Sequence, residues 1–307
     1  MNNSINWAHY ACLSFLLTSV SACKVDGEQV VGVEPQPSPS FFMTEAEIME
    51  NYADASCDPL YTSPEIPLVE APNNGWFGQI RTTPSGPLVD ENAWNSNLDR
   101  YLENDAVQLH YPLYLHTLNV PTREFTEGFP TIIGGLIADN SGNTLVERFH
   151  LTMESNLKLS QNFEEGTYQL AFLSDDGLRL SLGNEDVLIN STGKHPTKML
   201  CAARELELNH NQVKNLLVEY FQGPRYHIAL QFLWRKVEPG APNDALCGVS
   251  GNEIWFDYDR AIPSPKAKYN ELLSRGWSVV PATEFKLPSY EPINPCSDER
   301  ILDVIRD

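Results

Sequence analysis

The residues best placed to do chemistry in this 307-residue chain are two adjacent carboxylates, Asp175 and Asp176, in the segment Ser174-Asp175-Asp176-Gly177. Neighbouring carboxylates repel, so a turn carrying both gives up stability unless a cation, an arginine or backbone amides compensate. That makes the turn a candidate ligand or cation site. The plain alternative is structural, because Asp and Gly are ordinary turn formers. Arg225 and His227 border a later loop and could hydrogen-bond a ligand or pair with either aspartate, although a lone histidine on the polar side of a strand is more often simply solvated. No other chemistry stands out. The chain has no GxSxG elbow, HExxH pair, phosphate-binding GxxxxGK[ST] loop or GxGxxG turn. A glycosidase needs two carboxylates across a cleft, and 41 acidic residues do not single out a pair. The sequence therefore points to no catalytic residue and to a protein that is not an enzyme.

The elements that must position the aspartates read as strands. Tyr168, Leu170 and Phe172 alternate with Thr167, Gln169 and Ala171, and Leu178, Leu180 and Leu182 alternate with Arg179 and Ser181. This is the period-two pattern of half-buried strands, and Gly183 to Asp186 forms the next hairpin turn. Phe149, Leu151 and Met153 share one face of another strand, with His150 and Thr152 on the other, and Leu216 to Phe221 is a further strand. The clearest alternation puts Tyr226, Ile228, Leu230, Phe232 and Trp234 on an apolar face, with His227, Ala229 and Gln231 opposite. Tyr226 and Trp234 thus read as core, which leaves Trp76, Phe77 or Trp255 as the candidate exposed aromatic surface. Many short strands with regular turns predict a mostly β protein, an antiparallel sandwich or barrel, with a few short flanking helices. Those helices are a capping-box helix from Thr44 to Tyr52, a second from Asp90 carrying Trp94, Leu98, Tyr101 and Leu102, and a third opened by Ser264-Pro265 and stopped at Gly276. Trp277 to Leu287 reads as an extended piece lying against the β body.

Composition and the N-terminus set the surroundings. A formal charge of -20 and a pI near 4.7 exclude a basic footprint for nucleic acid. Residues 1 to 23 contain no Asp, Glu, Lys or Arg, and Ala11 to Val20 is an apolar run, too short to span a bilayer but suited to a signal peptide. Val20-Ser21-Ala22-Cys23 resembles a bacterial lipobox, which implies a signal peptide over 1–22, lipidation of Cys23 and attachment to a membrane through that anchor. Lys24 beyond it resembles lipoproteins sorted to the outer membrane. Residues 23–60 would hold the tether and first helix, 61–237 the β domain and 238–307 a C-terminal extension packed on it. Cys57, Cys201, Cys247 and Cys296 remain, an even number in an exported chain, so two disulfides are expected. Three pairings exist, and the one favoured joins Cys201 to Cys247 and Cys57 to Cys296. No CxxC spacing suggests zinc.

The string GTYQLAFLSDDGLRLSLGNEDVLIN, preceded by FHLTMESNLKL and followed by Cys201 and VEYFQGPRYHIALQFLW, resembles the protective-antigen (PA-fourteen) domain. The resemblance covers roughly residues 90 to 237. That family is a β-sandwich or barrel found in bacterial toxins, glycosidases, adhesins and yeast flocculins. In its lectin-like members the paired aspartates chelate Ca²⁺, which in turn coordinates sugar hydroxyls; the matching positions here are Asp175 and Asp176. Those members add an Asn from a later loop, where this chain departs by offering Gln222, followed by Gly223 and Pro224. Glu185 and Asp186 are further carboxylates that could make up the ligand set. The resemblance, with Arg225 beside the same loop, implies a non-catalytic envelope module for Ca²⁺-dependent carbohydrate or adhesion recognition. The competing expectation is a structural subunit of an outer-membrane-associated assembly, with an envelope protein in place of a glycan as partner.

Overall fold

The computed structural model describes residues 43–60, 73–84, 91–183, 185–259, 262–291 and 293–306. The expected signal peptide, Cys23 and most of the expected tether lie outside the described residues. Among those described, sixteen strands run in chain order as β1 (Ser56–Cys57), β2 (Trp76–Thr82), β3 (Val107–Leu115), β4 (Asn119–Glu124), β5 (Phe149–Lys158), β6 (Gly166–Asp175), β7 (Leu178–Leu182), β8 (Asp186–Ser191), β9 (Lys198–Cys201), β10 (Leu206–Leu208), β11 (Val213–Gln222), β12 (His227–Val237), β13 (Phe256–Asp257), β14 (Ser264–Pro265), β15 (Ser278–Val279) and β16 (Phe285–Lys286). Five α-helices flank them: α1 (Glu45–Tyr52), α2 (Glu91–Trp94), α3 (Asn252–Trp255), α4 (Ala267–Ser274) and α5 (Glu299–Arg306).

The larger sheet has the order β1-β3-β2-β5-β11-β7-β8, with β16 also on β5, and the smaller has the order β10-β6-β12-β15, with β4 on β12 and β9 on β6. Pairing between them is antiparallel except for β1 with β3. The two sheets stack as a sandwich and do not close into a barrel. Phe149, Leu151 and Met153 of β5 and Val218 and Tyr220 of β11 meet Tyr168, Leu170 and Phe172 of β6 and Ile228, Leu230 and Phe232 of β12 in one buried core. Phe172 stacks on Phe232 with ring centroids 4.6 Å apart, an offset contact that adds to area burial.

The alternation on β6 and β12 has a different meaning from a wet outer face. Ala171, Leu173 and Leu233 point away from the main core into a second cluster with Leu246, Trp255, Phe256, Tyr269, Leu272 and Trp277. The C-terminal segment thus covers the smaller sheet, and β6 is buried along both faces. Small or neutral residues such as Ala171, Ala229 and Gln231 tolerate this cover, whereas a charged face would not.

Two helix expectations need correction. The run from Asp90, itself outside the described residues, is not one helix. It breaks into α2 and a 3-10 turn at Leu98–Leu102, because Asn97 bridges Gly193 and its side chain caps the Asp99 amide. Trp94, Leu98 and Tyr101 still pack together with Phe221, while Leu102 is exposed. Ser264 and Pro265 do not open α4; they pair with β13, and the helix begins at Ala267 after Lys266, whose amide donates to Trp255 O. The capping box at Thr44 and Glu47 is formed, and Gly276 adopts φ +86° beyond α4. Cys57 bonds to Cys296 and Cys201 to Cys247.

Candidate functional site

Asp175 ends β6 in the smaller sheet and Leu178 begins β7 in the larger, so Asp176 and Gly177 carry the chain across the end of the sandwich. The glycine is required by space. A Cβ on Gly177 would lie 2.6 Å from a ring carbon of Phe221 and 2.7 Å from Ser191 O, so the crossing is pressed against the Phe221 ring of β11 and the carbonyl at the end of β8. Gly223 is just as confined, because its Cβ would meet Asn95 O at 2.8 Å and Asp176 Oδ2 at 3.0 Å.

Both carboxylates are nearly sealed, with 5% and 6% exposure. Asp176 accepts from two backbone amides, His195 N at 3.0 Å on Oδ1 and Gly223 N at 2.9 Å on Oδ2. Asp175 meets Thr197 Oγ1 at 3.4 Å from Oδ2, with the Thr197 backbone and the Asn252 side chain also in hydrogen-bonding reach, and the Thr197 hydroxyl also meets Thr122 Oγ1 at 2.9 Å. Burial, reinforced by the neighbouring Asp176 charge, pushes Asp175 up to about 8. Burial likewise raises Asp176 to about 6, against the pull of the Gly223 and His195 amides and of Lys194. Among the described residues neither aspartate forms an ion pair with Arg or Lys. The protein has therefore buried two acids side by side with no direct ion pair among the described residues, Lys194 acting on Asp176 only from a distance.

The pair opens into a cleft of about 300 Å³ lined by Lys194, His195, Arg225, Tyr226, His227 and Asn252 together with the two aspartates. Asn252, the first residue of α3, accepts the Thr197 amide on Oδ1 at 2.6 Å and faces His227 Nδ1 at 3.0 Å through Nδ2. His227 is half-buried against Tyr258, so it is not simply solvated. Trp255 anchors the same loop by donating to Thr197 O at 3.2 Å.

Each residue singled out in the sequence has a definite place. Gln222 is buried and turned inward; its Oε1 accepts from Tyr220 at 2.6 Å and its amide donates to His227 O and Pro224 O. It shapes the loop instead of facing the cleft. Arg225 lines the cleft but pairs with Glu147 at 3.5 Å. Asp186 pairs with Arg204 at the far end of the β7–β8 hairpin, where Glu185 also lies, so neither reaches Asp175. Tyr226 is not core: β12 begins one residue later, and the ring is 58% exposed at the cleft mouth. Trp76 and Trp255 are fully buried and cannot serve as an exposed platform. Thr197, His195 and Asn252 carried no sequence signal, because the C-terminal loop brings Asn252 in from far along the chain.

The donor set is hard oxygen. Two carboxylates with the Asn252 and Thr197 side-chain oxygens beside them suit Ca²⁺ better than a soft metal. Among the described residues no cluster of three or more His, Cys, Asp and Glu occurs, so a cation here would take neutral oxygens beside the two acids.

No protein-family model and no curated protein matches the chain. Among solved structures, it is similar to a PA14 sugar-binding domain from an RTX adhesin, with 16% identity, TM-score 0.32 and coverage of 53% of this chain and 90% of that one. It is similar also to the epithelial adhesin 6 A domain from Candida glabrata in complex with Galβ1-3GlcNAc, with 14% identity, TM-score 0.36 and coverage of 63% and 88%. An anti-sigma factor domain-containing protein is similar at 13% identity and TM-score 0.36 over 70% of this chain, which spans about half, 49%, of that protein's length.

Proposed function

We propose that the cleft at Asp175 and Asp176 is a non-catalytic recognition site, in which the two carboxylates hold a Ca²⁺ ion and the surrounding residues take the hydroxyls of a carbohydrate. The observation that carries this reading is the pair of buried, adjacent carboxylates whose proton affinity is raised and which form no direct ion pair among the described residues. A divalent ion would supply the missing charge and leave coordination positions for neutral ligand oxygens. Asn252 and Thr197 are the neutral side chains in place to complete the protein's share, and the two amides on Asp176 hold that carboxylate in a fixed orientation. Tyr226 offers an exposed ring at the mouth, of the amphipathic kind that suits a ligand with both apolar and hydroxylated faces.

The two disulfides support a place in an oxidising compartment, which agrees with export, lipidation at Cys23 and display on the cell envelope as parts of this proposal. Titration calorimetry with Ca²⁺, followed by a glycan array with and without chelator, tests it. Saturable Ca²⁺ binding and a chelator-sensitive glycan signal are expected. Ca²⁺ binding without any glycan signal would remove the sugar, and no Ca²⁺ binding would remove the whole reading.

A further inference from the structure

At the other end of the sandwich, three residues distant in sequence form a hydrogen-bonded chain. His116, just past the end of β3, places Nδ1 2.5 Å from Asp58 Oδ2 and Nε2 2.8 Å from Ser297 Oγ. Asp58 is held from two further sides: its Oδ1 accepts the His116 backbone amide at 2.8 Å, and its own amide donates to Tyr114 O at 2.8 Å. The carboxylate fixes the proton on Nδ1, which leaves the Nε2 lone pair for the Ser297 hydroxyl. The side chains of His116 and Asp58 are 4% and 1% exposed, whereas Ser297 is half-exposed. A partly exposed serine thus hydrogen-bonds a buried imidazole, which is itself oriented by a buried carboxylate.

The constellation is stapled. Cys57 immediately precedes Asp58, Cys296 immediately precedes Ser297, and the two cysteines are disulfide-bonded. β3 has nine residues, about 30 Å at about 3.3 Å each, and separates His116 from the cleft end of the larger sheet. We propose that Asp58, His116 and Ser297 form an acyl-transfer site, with Ser297 as nucleophile, His116 as general base and Asp58 as a positioning residue, acting on carboxylic esters. Nucleophile, base and orienting group stand within the distances that such triads use.

The step balances within these groups. Ser297 Oγ attacks the ester carbonyl carbon as its proton passes to His116 Nε2. The tetrahedral intermediate collapses, the ester C–O bond breaks, and the leaving alkoxide takes the proton from His116. Water, deprotonated by His116, then attacks the acyl-serine carbonyl; Ser297 Oγ leaves and takes the proton back, releasing the carboxylic acid. The amide of the residue after the nucleophile commonly binds the developing oxyanion. Here that amide, Asp298 N, is held by Pro295 O at 3.4 Å, a long bond that an oxyanion can replace.

The test is labelling of the oxidised full chain with a fluorophosphonate in chelator, with the adduct located by peptide mapping and p-nitrophenyl acetate turnover measured in parallel. Ser297 is expected to carry the adduct, with fluoride as the leaving group. Ser297→Ala abolishes adduct and turnover, and His116→Gln slows labelling about a hundredfold, the scale of general-base assistance. Asp58→Asn slows it as well, and Asp58→Glu restores part of the rate. Absence of an adduct on Ser297, or a labelling rate unchanged in His116→Gln, overturns the proposal. Should His116→Gln fail to fold, the adduct map of the parent protein and the turnover of Ser297→Ala decide alone. The chelator keeps this outcome separate from that of the Ca²⁺ cleft.

Discussion

Replacing Asp175 by Asn should stabilise the protein in metal-free buffer at pH 8 and make it indifferent to Ca²⁺. Burial and the Asp176 charge raise Asp175 from an ordinary 3.8 to about 8, so between those values the fold holds a proton that the unfolded chain has released. Stability is therefore lost as pH rises through that window. Each tenfold in proton affinity is worth about 1.4 kcal/mol, which puts the burden at pH 8 on the order of 5 kcal/mol. Asn removes it while keeping the shape, because the Thr197 and Thr122 hydroxyls, 2.9 Å apart with either able to donate, can turn to accept an amide. At about 2 °C or more per kcal/mol for a domain of this size, Tm should rise by about 10 °C at pH 8. At pH 5 the gap between variant and parent shrinks to about a third, since Asp175 then keeps its proton in the fold. Adding Ca²⁺ at about a hundredfold over its Kd should return about 2.7 kcal/mol to the parent and almost nothing to the variant. Differential scanning calorimetry at the two pH values, with Ca²⁺ and with chelator, reads all four states. A variant less stable than the parent in chelator, or one that still responds fully to Ca²⁺, would refute the reasoning.

Gly223→Ala pushes a methyl group toward Asn95 O and Asp176 Oδ2; a loss of about 1–3 kcal/mol and weaker Ca²⁺ stabilisation in thermal melts are expected. His150 is fully buried with neither ring nitrogen bonded, and burial lowers it to about 3. A histidine depressed in the fold favours the native state above its unfolded value near 6.5 and loses that contribution as pH falls toward 3. His150→Phe should therefore flatten the acid limb of urea-unfolding stability below about pH 6.5, and an unchanged limb would show that other groups set it. Removing the Cys57–Cys296 bridge, which closes a loop of 239 residues, should cost about 5 kcal/mol on the chain-entropy account, measured as the change in urea midpoint of a Cys57→Ser, Cys296→Ser double variant.

The strands were legible because period two is written into the side chains: Phe149, Leu151 and Met153, or Ile228, Leu230 and Phe232, have one face to hide. What alternation could not tell is what covers the other face. The Trp255, Tyr269 and Trp277 cluster seals β6 and β12 from outside, and such cover is set by where a distant segment folds back. Tyr226 was misplaced for a related reason. Its spacing continued the apolar series of β12, but Pro224 and Arg225 keep the loop going and the ladder starts only at His227. Gln222, read as an outward ligand, turned inward because Tyr220 and the His227 carbonyl claimed both ends of its amide.

By itself, the sequence determined a mostly β body of sandwich or barrel type, the acidic turn at Asp175-Asp176-Gly177 and an even set of cysteines, all features carried by residues adjacent or regularly spaced along the chain. Only the tertiary structure decided that two sheets stack without closing, that the acids are buried with no direct ion pair among the described residues, that Thr197 and Asn252 border them, and that Asp58, His116 and Ser297 meet at all. Local pattern encodes which face of a strand is apolar. Proton affinity and through-space hydrogen bonding depend on groups brought together by the packing of distant segments, and nothing in the spacing of those residues records their encounter.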